Sequence, residues 1–132
     1  MTTQNEMKAV QVSELSGAAL DWAVAMAEEK RPHLSKDNKV FVVSSYGPEY
    51  NATFSPSKRW HEAGPIIERE EMAIIPACYG WIAEIYEDGP SEDDVLSHQT
   101  GDTPLVAAMR CYVAAHFGNT VEVPAVLLEG EA

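Results

Sequence analysis

Basic residues are scarce in this sequence: nine Lys and Arg stand against 21 Asp and Glu in 132 residues, a formal net charge of −12. So few cations exclude, as expectations, a protein that grips duplex nucleic acid or an anionic membrane, because both are held by clustered Lys and Arg. Cysteine is scarcer still. Cys78 and Cys111 are the only two, each within an apolar run, with no CxxC and no histidine at ligand spacing. Neither a disulfide nor a zinc site is expected. No apolar stretch reaches the ~18 residues that a bilayer span requires, and residues 1–7 carry neither the basic nor the apolar block of an export signal. The expectation is a soluble, cytoplasmic protein.

Catalytic and nucleotide-binding signatures are missing too. There is no P-loop, GxGxxG, HExxH or GxSxG, so no cofactor, metal or catalytic residue is expected, and the chain reads as non-enzymatic. The acids that adjoin one another, such as Glu68, Glu70 and Glu71 or Asp93 and Asp94, do so as composition alone would bring about and read as a solvated face. His33, His61 and His98 are scattered, and His116 extends an apolar helical stripe as a packed histidine.

What is present suits one domain over residues 1–132, with a core over about 8–128. Lys8–Val12 alternates like a short strand. Leu15, Ala19, Trp22, Ala23 and Met26 fall on one helical face, which predicts a helix over Gly17–Glu29 with Trp22 in the core and Asp21, Glu28 and Glu29 on the opposite face. Lys39–Ser44 is β-rich. Residues 45–65 hold three prolines and two glycines and read as a long loop. Glu71–Cys78 and Gly80–Tyr86 read as a hairpin with Pro76 on an edge strand. Six acids in Glu84–Asp94 mark an acidic loop, extending over about 87–102. Thr103 and Pro104 then open a second helix that Gly118 closes, and Val121–Val123 adds an edge strand. The class is α+β, two amphipathic helices packed against a small, mainly antiparallel sheet.

Chemistry concentrates in Phe54–Arg69, which combines two hydroxyls, three cations and a tryptophan with proline and glycine. Two readings stand. The segment recognises a polar planar or phosphorylated ligand, or it is a packed loop in which Trp60 covers the core, Ile66 and Ile67 anchor it and Glu68 and Arg69 make ion pairs. Three of the nine bases, Lys58, Arg59 and Arg69, lie in it.

Three blocks, Glu14–Val24, then Phe54–Ser57 with Trp60 and Gly64–Arg69, then Thr103–Val113, together resemble the NinX family of small bacteriophage and prophage proteins, a domain of unknown function. The resemblance runs in order over about residues 8–128, with Ala63 where the family more usually has a second glycine and extra acidic residues around Asp88–Asp94. It implies a phage accessory protein in a bacterial cytoplasm and implies no activity. On that basis the candidate ligand-binding residues are Ser55, Ser57, Trp60 and Arg69, with Asp21, Trp22 and Arg110 contributed by the helices. The hydroxyls and Arg69 would meet polar or phosphate oxygens and a tryptophan would stack on a ring. The partner expected is a small polar ligand or a host protein, with self-association into a homo-oligomer also open. The alternative is an acidic decoy that imitates nucleic acid and blocks a host DNA-binding protein.

Overall fold

Residues 4–44, 47–89 and 92–129 are described by the computed structural model. The chain runs β1 (Met7–Gln11), α1 (Gly17–Ala27), β2 (His33–Leu34), β3 (Val40–Ser44), β4 (Gly47–Thr53), α2 (Trp60–Arg69), β5 (Ala73–Ala77), β6 (Gly80–Tyr86), β7 (Val95–Gly101), α3 (Pro104–Phe117) and β8 (Thr120–Pro124). Among the described residues the strands form three separate antiparallel sheets, in the orders β1-β8, β2-β3-β4 and β5-β6-β7. The α+β class holds, with a third helix and with three small sheets in place of one.

No sheet of two or three strands is stable alone, so each must bury a face against something larger. Here that is the pair α1 and α3, which touch each other while α3 lies on β6 and β7 and α1 reaches β3 and β8. Alanines permit the close approach: Ala19, Ala23, Ala107 and Ala108 are fully buried, packed with Leu15, Leu20, Val24, Met109, Val113 and Val123. Both helices are therefore buried over most of their circumference, whereas a single stripe was expected. Asp21, expected on the open face of α1, is buried. Met26 and His116, expected in the stripes, lie in the last turns of their helices and are exposed.

The ends of α3 match their sequence signals. Thr103 Oγ1 accepts a hydrogen bond from Val106 N at 3.1 Å, Pro104 occupies the first turn, and Gly118 takes φ +89° past the end. The β5–β6 hairpin forms as expected, with Pro76 on the edge strand β5. Gly80 opens β6 at φ +143°, where a Cβ would sit 2.5 Å from Gly101 O. Cys78 and Cys111 are free, Cys78 exposed and Cys111 buried.

Two expected loops are largely regular structure. Within 45–65, of which 45–46 lie outside the described residues, β4 pairs with β3 (Phe41↔Thr53, Val42↔Ala52) and α2 starts at Trp60, leaving among the described residues a turn over 54–59. The prolines misled because each is accommodated. Pro48 lies on an edge strand, Pro56 in the turn, and Pro65 inside α2 at the loss of one helical hydrogen bond. Within 87–102, Val95–Gly101 is β7, paired with β6 from Trp81↔Gly101 to Tyr86↔Val95. Its Ser-His-Gln-Thr sequence carries no apolar alternation. The ladder holds it, as does buried Ser97, whose Oγ donates to Cys111 O of α3 at 2.9 Å.

Arg110 of α3 joins the layers, donating through Nε to Leu15 O at 2.7 Å and through Nη1 to Thr100 O at 2.8 Å. Its removal takes one donor from each carbonyl. Arg110→Ala should therefore lower stability by about 2 kcal/mol in urea unfolding, and an unchanged midpoint would show the clamp to be dispensable.

Candidate functional site

Asp21 falls in the middle of α1 on a side covered by the 54–59 turn, and only 4% of its surface is exposed. Its Oδ1 accepts a hydrogen bond from Ser57 N at 2.8 Å. That bond fastens the turn, which is further shaped by Lys58 N and Arg59 N donating to Ser55 O at 3.0 and 2.9 Å. Ser55 N in turn donates to Glu62 Oε2 of α2 at 3.3 Å. Phe54 N donates to Val40 O at 3.1 Å, so the turn is tied to β3 as well.

Between this turn and the β2–β3 connection lies an open cavity of about 300 Å3, with Asp21, Asn38, Lys39, Ser55, Lys58 and Arg59 among its walls. Arg59 is held in place, with Nη1 3.3 Å from Thr53 Oγ1 and 3.4 Å from Glu62 Oε1. Lys39 makes a loose, exposed pair with Asp37 at 3.6 Å. Burial pushes the Asp21 carboxyl up to about 6 against the Ser57 amide and hydroxyl and the Lys58 charge, which favour ionisation, while Glu62 adds to the rise. The Ser57 hydroxyl is close enough to act on Asp21, yet its Oγ is buried with no hydrogen bond of normal geometry.

The structure thus gathers Asp21, Ser55 and Ser57 from the sequence-derived set and disperses the rest. Trp60 does not cover the core: it opens α2 with 57% of its surface exposed. Ile66 is buried and Ile67 packs against the core, so the anchoring half of the packed-loop reading holds. Arg69, at the far end of α2, is bound in a second cluster. Its Nη2 and Nη1 lie 2.7 and 3.2 Å from the Glu28 carboxylate, Nε lies 3.0 Å from Glu70 Oε2, and Tyr112 Oη also donates to Glu28. Those donors hold the Glu28 carboxyl below its ordinary value in spite of its burial. Trp22 is half-buried against the core with an unpartnered, buried Nε1. Arg110 spends its donors on backbone carbonyls. Sequence reasoning missed Lys39 and Asn38, which β3–β4 pairing brings to the cavity from 15 or more residues away. The polar run Lys36-Asp-Asn38, with Asn38 at φ +62°, was the one local signal of a turn there.

Fold and site define a small α+β protein with a polar cavity rimmed by cations. The family model described as Bacteriophage P22, NinX matches residues 11–116, a span that takes in the cavity. The chain belongs to this family of phage proteins, an accessory protein of unknown function, as the three sequence blocks implied. No curated protein matches it. Among the described residues no helix is long and apolar enough to cross a membrane.

Because folding raises the Asp21 pKa, the native state binds the extra proton between the unfolded value near 3.8 and about 6. Its contribution is therefore intact below pH ~4, declines as pH rises to ~6 and stays lost above, a cost of about 3 kcal/mol at pH 7. An asparagine keeps the acceptor for Ser57 N without the charge. Asp21→Asn should then be the more stable protein at pH 7 by up to about 3 kcal/mol, and the two should converge in urea unfolding near pH 4. A difference independent of pH would contradict this account.

Proposed function

We propose that the protein is a non-enzymatic phage accessory protein that binds a small phosphorylated ligand in the cavity between the 54–59 turn and the β2–β3 connection. The observation that carries this reading is charge placement. In a chain of net charge −12, three of the nine bases, Lys39, Lys58 and Arg59, line one cavity. The repulsion of anions by so acidic a chain is offset there, and clustered ammonium and guanidinium donors suit phosphate oxygens. Arg59, steadied by Thr53 and Glu62, loses less freedom on binding than a free side chain. Binding is favoured over turnover because the hydrogen bond that Asp21 makes is to a backbone amide and no histidine is bonded to it among the described residues.

Calorimetric titration with inorganic phosphate and nucleoside monophosphates should show binding that weakens with salt. Lys58→Ala and Arg59→Ala should each lose about tenfold in affinity, the worth of one charge-assisted contact. No binding at millimolar ligand, or wild-type affinity in both variants, would overturn the reading. If the protein instead competes with DNA for a host DNA-binding protein, the acidic decoy is the better account.

A further inference from the structure

A cavity for a plain anion is poorly served by a carboxylate in its wall, since the two charges repel. Asp21 lines the cavity nonetheless. Holding the turn does not require it, because an amide oxygen would accept from Ser57 N as Oδ1 does. What the carboxylate adds is a negative charge and a second strong acceptor, Oδ2. Among the described residues no hydrogen bond of normal geometry reaches Oδ2, and the neighbouring Ser57 Oγ is buried and unpartnered as well. Oδ2 is thus the acceptor that Asp21 offers to a donor entering the cavity. Lys39, Lys58 and Arg59 line the same cavity.

We infer that the ligand is a phosphate monoester that also carries an amino group, with its phosphate against the three cations and its N–H donated to Asp21. This rests on the anion-binding reading above and narrows it to a class of ligand with two recognition ends. The complementarity is mutual. The ligand's donor offsets the desolvation of the buried carboxylate, and the carboxylate rejects anions that lack such a donor. At about 300 Å3 the cavity is at the lower end of small-molecule sites, enough for a compact phosphorylated amine or a nucleoside monophosphate.

Matched pairs of ligands that differ only in the amino group give the test: phosphoethanolamine against ethyl phosphate, and guanosine monophosphate against inosine monophosphate, titrated calorimetrically into the wild-type protein and Asp21→Asn. The amino member of a pair should bind the wild type about tenfold more tightly at pH 7.5, and Asp21→Asn, checked for folding by thermal unfolding, should erase that preference. The preference should also shrink as pH falls below about 6, where Asp21 takes up its proton. Both members of a pair carry the phosphate, so its contacts with Lys39, Lys58 and Arg59 cancel in the ratio. Glu62, the other acid acting on Asp21, is left intact in every arm. Equal affinity within both pairs, or a preference that survives in Asp21→Asn, would overturn this inference while leaving the anion site standing. No binding of either pair or of inorganic phosphate would overturn both.

Discussion

The packing of α3 against α1 is the constraint on which the rest of the structure depends. Neither helix has an open polar side wide enough to face water, and none of the three sheets could stand without them. Fully buried alanines on both helices let their neighbours pack close, and the sheets close over the remaining surfaces. Arg110 shows how this is locked: one guanidinium on α3 satisfies the carbonyl before α1 and a carbonyl of β7 together. The Glu28–Arg69–Tyr112 cluster does the same at the other end, holding α2 to the pair through a bidentate ion pair and a phenol.

The cavity is a by-product of this order. Once α1 is buried, Asp21 has lost its water, and the Ser57 amide becomes the group that compensates it. That single bond draws the 54–59 turn over α1 and, with it, Lys58 and Arg59. The β3–β4 pairing then sets Lys39 opposite. The local field is therefore made by topology, because the three cations come from two separate stretches of an otherwise acidic chain.

Much of the fold was legible where a signal is local and mechanical. Thr103 with Pro104 and Gly118 bracketed α3, since a side-chain cap, a fixed φ and a left-handed residue act within one turn. The β5–β6 hairpin was legible for the same reason. β4, α2 and β7 were not. Their sequences carry prolines or polar residues that argue against regular structure locally, and each is held by a partner distant in the chain: β3 for β4, the α1–α3 pair through Arg69 for α2, and β6 with α3 for β7. Of the site, Ser55, Ser57 and Asp21 were named from sequence, but Arg69 and Arg110 were named for their charge when their donors were already committed within the fold.

By itself the sequence determined the α+β class, the two long helices, the family and the segment where chemistry gathers. Periodicity, caps and composition are written in consecutive residues, and the family blocks are linear. Tertiary structure decided which side chains are free. Whether an arginine meets a ligand or a backbone carbonyl, and whether an aspartate faces water or a cavity wall, depends on what the distant chain brings beside it. That turned Asp21 from a solvated acid into the buried carboxylate of the site, and it left Trp60, the side chain first picked for stacking, out in solvent.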